Sequence, residues 1–440
     1  MKPGPAASTF TFAADSKILR RKRSVAVSET QGETRPLRND TILIVGGGVG
    51  GLSTALALGR KGWQVRVLEK APQFGAIGYG IQLGPNALPM FDRLGIAEAV
   101  LEKSILPENV WMFDAFDGKP VTRVHTGAAF RARYENPYIV IHRVDLHNVM
   151  LDACRREANI HLDENAEIVG YSDHGDRVAV RTADGRAIEG AILIGADGLR
   201  SCVRAQMIDD GEPSLIGYVA HRTIVPIDKA PKDVPLGDVV LWGGPGFHIV
   251  HYPLREHTLF NIVAVFRTDA FNEKRDAESN RAELQQAYRD AHPTMREMIA
   301  MIDLKWRRPV ADRPPRRGWS KGRAILLGDA AHASLQSLAQ GACMALEDAV
   351  VLSELIDMCG GDYEGAFRQF ERERMLRTAR VQLESRYMWN IFYHTEGVEA
   401  QVRNQAYRAR DDEDIYRCLD WLYRAAEVPT KIKKTDEAAE

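Results

Sequence analysis

The sequence predicts an α/β protein in which a parallel sheet is interrupted by an inserted antiparallel sheet and followed by a helical C-terminal region. Three observations predict it. Residues 41–59, TILIVGGGVGGLSTALALG, read as a strand, a glycine turn and the start of a helix. Asp197 and Asp329 each follow an apolar run of strand length. Residues 215–268 are dense in strand and turn signals, with GGPG at 243–246.

The first element is the run Ile42–Val45, short and β-branched as a parallel strand buried on both faces should be. Gly46, Gly48 and Gly51 then stand at G-x-G-x-x-G spacing. The first allows the tight turn, the second lets backbone approach a pyrophosphate, and the third packs the helix onto the strand. The helix N-terminus offers free N–H groups to the phosphates. A second strand, Gln64–Leu68, ends in Glu69, about 20 residues on, where an acid holds a ribose hydroxyl. This is a Rossmann-type dinucleotide unit. The uncharged stretch also has the length of a membrane span, but its glycines and the lack of a second span argue against one.

Further along, Ala76–Asn86 carries three glycines and a proline and reads as a loop. Helical patterning resumes over Ala87–Leu101 and again over 142–157, where Arg143 can set a cation against a pyrophosphate. A hairpin is expected over Arg177–Ile194, with its turn at 183–185. Strand Ala191–Ile194 enters Gly195-Ala-Asp-Gly198, and strand Ala324–Leu327 enters Gly328-Asp329-Ala-Ala-His332. Glu69, Asp197 and Asp329 thus fall at the carboxyl ends of parallel strands, where open α/β sheets bind ligands. Residues 277–304 read as helix, a long helix starts near Gly341, and 363–425 is largely helical with an aromatic close at Tyr416, Trp421 and Tyr423. The resulting division is a disordered tail over 1–39, a first dinucleotide-binding part over 40–212, a sheet domain over 213–304, a second dinucleotide-binding part over 305–358 and a helical region over 359–440.

Composition narrows the function. The 58 basic and 60 acidic residues nearly cancel, which points to neither nucleic acid nor an anionic membrane. Five scattered cysteines without a C-x-x-C pair indicate no disulfide framework and no metal site, and a reducing cytoplasm is the simplest home. The basic knot Arg20–Arg23 precedes no apolar segment of secretory length.

Four motifs now occur in one order: Gly46–Gly51 with Glu69, HR-x-DLH at 142–147, GADG–R–S–x–R at 195–204 and GDAAH at 328–332. In this the chain resembles the single-component FAD-dependent aromatic hydroxylases, with the fold of 4-hydroxybenzoate hydroxylase, over roughly residues 40–425. The resemblance implies non-covalent FAD, NADH or NADPH as a visiting co-substrate, dioxygen, a small phenolic carboxylate and a homodimer. It assigns Glu69 to the adenosine ribose, Arg143 to the pyrophosphate, Asp329 to the ribityl chain, and Asp197-Gly198 to both FAD and the nicotinamide donor. No second dinucleotide fingerprint occurs, which fits a donor that visits and leaves.

Segments 244–255 and 332–349, and the close Asp420-Trp-Leu422, resemble the 3-hydroxybenzoate 6-hydroxylase subgroup. That implies catalytic roles facing the phenol for His248 and Gln336, with Tyr252 nearby. Ala333 replaces the usual proline after GDAAH, and His221 stands where an aromatic is expected. The chemistry suits these residue types. An imidazole can take the proton of a phenol, and a neutral amide can orient it without burying another charge. His251 and His257 are alternative bases if the strand register shifts, and His332 reads as structural. Arg222, Tyr252 and His221 are the candidates for holding the substrate carboxylate. The expected reaction is 3-hydroxybenzoate to 2,5-dihydroxybenzoate. Salicylate or a 6-hydroxynicotinate-type hydroxypyridine carboxylate is the alternative substrate, and a non-hydroxylating flavin-binding redox protein is the alternative class.

Overall fold

The computed structural model describes residues 40–75, 78–271 and 275–433; the tail expected over 1–39 lies outside the described residues. The first sheet has six strands in the order Ser320–Lys321, Ala324–Leu326, Ile192–Gly195, Thr41–Val45, Gln64–Leu68 and Ile160–Asp163. All neighbours are parallel except at the Ser320–Lys321 edge. Ile42 pairs with Ile192 on one side and Val65 on the other, and Ile42, Leu43 and Ile44 are wholly buried. Helix Val49–Gly59 packs on this sheet, and strand Ala187–Gly190 of a separate three-stranded sheet lies against Leu43, so these strands can be apolar throughout. The strand order reverses at Thr41–Val45, and Gly46, Glu69, Ala196 and Leu327 emerge together at the carboxyl ends on either side of it. That crevice is where such a sheet binds ligands.

The second sheet has seven strands in the order Arg307–Asp312, Ser214–Pro226, Leu259–Arg267, Phe247–Leu254, Val239–Gly244, Asn109–Asp114 and Pro120–His125. It is wider than 215–268, because strands from before and after that segment join its two edges. Of GGPG at 243–246, Gly243 and Gly244 end one strand and Pro245-Gly246 form the hairpin turn to the next. One face packs Trp242, Ile249, Phe260, Ile262 and Phe266 against helices Ala277–Ala287 and Pro293–Ala300. The single helix expected over 277–304 is broken there because Pro293 lacks the N–H an interior position needs and opens the second helix instead. Gly95, at φ +59°, likewise splits the expected helix 87–101 into Leu88–Arg93 and Ala97–Glu102.

Two further expectations change. The loop expected over 76–86 contains a strand, Gly80–Leu83, paired antiparallel with Ile139–His142. Gly80 is required there, since a Cβ would lie 2.3 Å from Cε2 of Tyr252. The second strand of the expected hairpin ends at Gly190, and the chain crosses into the first sheet as Ile192–Gly195.

Helix Gly341–Met358 packs beside Val49–Gly59, and Tyr363–Tyr387 leads into one π-helical turn, Met388–Tyr393. Helices Gly397–Arg408 and Asp412–Tyr423 complete the C-terminal region. Among the described residues no helix is long and apolar enough to cross a membrane.

Candidate active site

A cleft of about 730 Å³ runs from the glycine turn to the second sheet. At its first end lie the three fingerprint glycines, each in a different setting. Gly46 has φ +104°, and a Cβ on it would lie 2.5 Å from the Ala196 carbonyl oxygen. A Cβ on Gly51 would lie 1.9 Å from the Gly46 oxygen. A Cβ on Gly48 would meet nothing within 4 Å, so the space before it is open and a side chain would fill it. Glu69 accepts the Gly47 N–H at 2.7 Å and the Ala71 N–H at 2.8 Å, which leaves lone pairs on both oxygens. His147 Nε2 bonds the Gly47 carbonyl at 2.9 Å and pins the turn from behind. Arg143 opens helix Arg143–Arg155 and lines the cleft. The open space before Gly48, a ribose-type acid and a nearby guanidinium fit a dinucleotide.

Asp329, at the start of the short helix Asp329–His332, also lines the cleft. Its side chain is exposed to the open cleft, with the body of the protein packed closely around it. That burial raises its pKa against the opposing pulls of His332 and Arg143. Behind the loop lies a buried ionic network. Asp348 accepts the Gly328 N–H at 2.9 Å, meets His332 Nε2 at 2.6 Å and accepts Arg374 Nε at 2.7 Å. Arg374 and Arg377 both reach Glu347 at 2.7 Å. Burial opposes ionisation of Asp348, but His332 and Arg374 overcome it and hold its pKa down at about 2. His332 is thus structural.

Asp197 is placed differently from the role the resemblance implies. Its carboxylate accepts from Ser201 Oγ, the Cys202 N–H at 2.7 Å and the Val203 N–H at 3.3 Å, capping helix Cys202–Ile208. Its neighbours Ala196 and Gly198 line the cleft instead. In the same motif, the fully buried Arg204 donates to the carbonyls of Ala330 and Ala331 at 2.9 and 2.8 Å. The segments 195–204 and 328–332 therefore form one unit.

At the other end of the cleft, strand alternation sorts the candidates. His248, Val250 and Tyr252 of Phe247–Leu254 face the cleft. His251 points to the opposite face, against Phe260, and among the described residues both its ring nitrogens lack partners. The same parity puts Arg222 in the cleft and turns His221 away, stacked on Phe266 at 6.1 Å. His221 and His251 are thereby turned away from the cleft, and His257 sits in the turn after the strand.

Gln336 lies on the short turn Gln336–Leu338 and accepts Arg222 Nη2 at 2.8 Å. Tyr393 joins the two walls: its hydroxyl donates to the Ser337 carbonyl at 2.7 Å, and its ring meets His248 at 5.1 Å. His248 is wholly buried, with Nδ1 at 2.8 Å from His394 Nε2 and with Nε2 unpartnered among the described residues. Burial, then His394, push its pKa well below the ordinary histidine value. Tyr252, buried beside Arg222, has its pKa raised by burial and remains a phenol.

Sequence reasoning missed His147, Arg204, Arg374 and His394. The first two stand inside motifs that were read for other residues; the last two carry no local signal.

Residues 39–385 match the family described as "FAD binding domain". Over 382 residues the chain is 41% identical to 3-hydroxybenzoate 6-hydroxylase of Polaromonas naphthalenivorans, covering 87% of this chain and 95% of that protein. It is 40% identical to the enzyme of the same name from Klebsiella oxytoca, covering 87% of this chain and 96% of that one. The structure of Klebsiella pneumoniae HpxO complexed with FAD and uric acid superposes with a TM-score of 0.76 at 26% identity, covering 86% of this chain and 95% of that one. With the family match running through both sheets, the chain belongs to the FAD-binding-domain family and is a flavoprotein aromatic monooxygenase.

Proposed function

We propose that the enzyme hydroxylates 3-hydroxybenzoate para to its hydroxyl, giving 2,5-dihydroxybenzoate, with NADH or NADPH as reductant and dioxygen as oxygen source. The observation that carries this reading is one chamber that offers a guanidinium, Arg222, and an unpartnered imidazole nitrogen, His248 Nε2. A phenolic carboxylate needs one of each. The relatives at 41% and 40% identity support the particular substrate.

Bound FAD supplies the oxygen chemistry and the hydride acceptor. The protein's residues do the rest. The backbone before Gly48, with Arg143, holds the pyrophosphate; Glu69 holds the adenosine ribose and Asp329 the ribityl chain. Asp197 shapes that wall by capping its helix, and the backbone of Ala196 and Gly198 forms the contact surface. Arg222 takes the substrate carboxylate. Burial lowers its pKa, and a guanidinium whose hydrogen-bond partner among the described residues is an amide gains from an anion. Gln336, held by Arg222, orients the phenol. His248 takes the phenol proton on Nε2, leaving the ring as the more nucleophilic phenolate. Tyr252 closes the pocket beside the carboxylate. The reading includes a homodimer, supported by Leu376, Leu383 and Tyr387, which are exposed at helical spacing on Tyr363–Tyr387.

The test is a product chromatogram from a panel of monohydroxybenzoates with NADH and NADPH. 3-Hydroxybenzoate should stimulate nicotinamide oxidation and oxygen uptake and yield 2,5-dihydroxybenzoate by mass and retention. Faster conversion of salicylate to catechol would overturn the substrate and leave the family intact.

A further inference from the structure

His248 and His394 face each other across the sheet and the C-terminal region, Nδ1 to Nε2 at 2.8 Å. His394 follows the π-helical turn Met388–Tyr393. Its ring lies flat on Tyr218, with centroids 4.9 Å apart and planes 14° from parallel. Trp389 meets both imidazoles edge-on, at 5.1 Å each. The carbonyl of His248 accepts the Tyr288 hydroxyl at 2.8 Å, so the strand is held as firmly as the ring.

Two imidazoles at hydrogen-bond distance share one proton: one nitrogen donates and the other accepts. Both rings are neutral. Burial drives His248 well below the ordinary histidine pKa and His394 to about 3, with Arg267 adding to the second effect. Among the described residues, the groups facing the pair are Tyr218, Tyr393, the Tyr288 hydroxyl and Arg267. A carboxylate in that position would favour imidazolium, whereas the cation Arg267 favours a neutral His394, which can accept or donate at Nε2.

Two arrangements are then available. If His394 donates, His248 carries its proton on Nε2 and can only donate to the phenol oxygen. If His248 donates from Nδ1, its Nε2 presents a lone pair to the cleft.

Resting on the assignment of His248 as base, we infer that His394 is a positioning residue that accepts from His248 Nδ1 and so holds it in the tautomer able to deprotonate the phenol. The proton leaves the phenol oxygen for His248 Nε2, and the electron pair of the O–H bond stays on the oxygen. The imidazolium then donates to His394 through a charge-assisted bond, stronger than the neutral one it replaces. Nothing else is consumed or released in the step.

The experiment follows the ionisation of 3-hydroxybenzoate bound to the oxidised holoenzyme, by ultraviolet difference spectra across pH. His394→Phe keeps the stack on Tyr218 and removes the acceptor. His394→Gln puts an amide where Nε2 was and restores one. For His394→Phe the expected result is FAD retention and substrate Kd within about 3-fold of wild type. The bound phenol's pKa should rise by about one unit or more, and product formed per NADH should fall about 10-fold at neutral pH. Coupling should recover as pH approaches the phenol's own pKa, and His394→Gln should keep most of the wild-type behaviour. A His394→Phe enzyme that titrates and couples like wild type would overturn the inference. Should that variant lose FAD, the decision passes to ¹⁵N-histidine spectra of the wild-type holoenzyme, where His248 must appear with its proton on Nδ1; a proton on Nε2 overturns the inference. His248→Ala, run alongside, separates the two levels: unchanged phenol ionisation there removes the base assignment itself.

Discussion

On the proposed reading His248 has to be neutral before it can take a proton, and burial favours that form by lowering its pKa well below the ordinary histidine value. The same burial weakens it as a base. In the proposed step the deficit is offset because proton transfer would create an imidazolium beside a phenolate, and two opposite charges in an apolar cleft attract far more strongly than in water. His248→Ala should therefore still bind FAD and accept hydride from the nicotinamide, but lose coupled hydroxylation by about 10²–10⁴-fold. NADH should then be consumed slowly with hydrogen peroxide as product, measured by peroxidase-coupled assay; near-normal coupling would make His248 a structural histidine. Arg222→Met should raise the Kd for 3-hydroxybenzoate on the order of 10²-fold, the worth of a buried charged contact. It should leave 3-hydroxybenzyl alcohol, which has no carboxylate, bound equally by both enzymes. At this scale the sequence was legible up to parity. Neighbouring candidates such as His221 and Arg222, or His248 and His251, differ only in which face of a strand they occupy, and side-chain direction alternates with every residue. His394 was invisible because its partner lies 146 residues away.

The glycine turn and the GDAAH segment are the elements that set the cofactor end. Gly48→Val should abolish FAD retention on gel filtration while leaving the fold, because the Cβ enters open space. Gly51→Ala should instead destabilise the apoprotein, because its Cβ would strike the Gly46 carbonyl oxygen. Equal loss of fold in both would refute the division of roles. Arg374→Met leaves Glu347 and Asp348 short of a buried partner and should cost about 3–5 kcal/mol in denaturant unfolding. These elements were legible as motifs because a tight turn, a close approach and a strand-end acid each demand a residue type at a fixed offset. What lay behind them was not legible. Arg374 reads as one more charge on a polar helix, Tyr363–Tyr387, and is buried only because two acids from Gly341–Met358 meet it. Gly80–Leu83 reads as loop for a related reason: its glycine serves the close approach of Tyr252 rather than a turn.

Across the whole molecule, several histidines are stored neutral. Burial lowers the pKa of His221 to about 4, of His251 and His394 to about 3, and of His248 well below the ordinary 6.5. The folded protein binds these protons less well than the unfolded chain, so unfolding at acid pH takes protons up. Their contribution to stability is complete above about pH 6.5 and is lost as pH falls from there toward 4 and 3. Asp348, held at about 2, acts in the same sense below the ordinary aspartate value of 3.8. The urea midpoint of FAD-saturated enzyme should therefore fall between pH 7 and 5, and His251→Leu, remote from the cleft, should flatten that fall without altering turnover; an unchanged slope would contradict it. The architecture itself was largely readable, since apolar parallel strands and turn-rich antiparallel strands carry different patterns. The width of the second sheet was not, because its edge strands come from segments that look unremarkable until they pair. All of this converges on a cleft that joins a dinucleotide cradle to one guanidinium and one imidazole. The most direct test is turnover of 3-hydroxybenzoate under ¹⁸O₂ with NADH or NADPH. The account predicts 2,5-dihydroxybenzoate carrying one ¹⁸O at the new hydroxyl; an unlabelled product, a different ring position, or reductant oxidation with peroxide alone would contradict it.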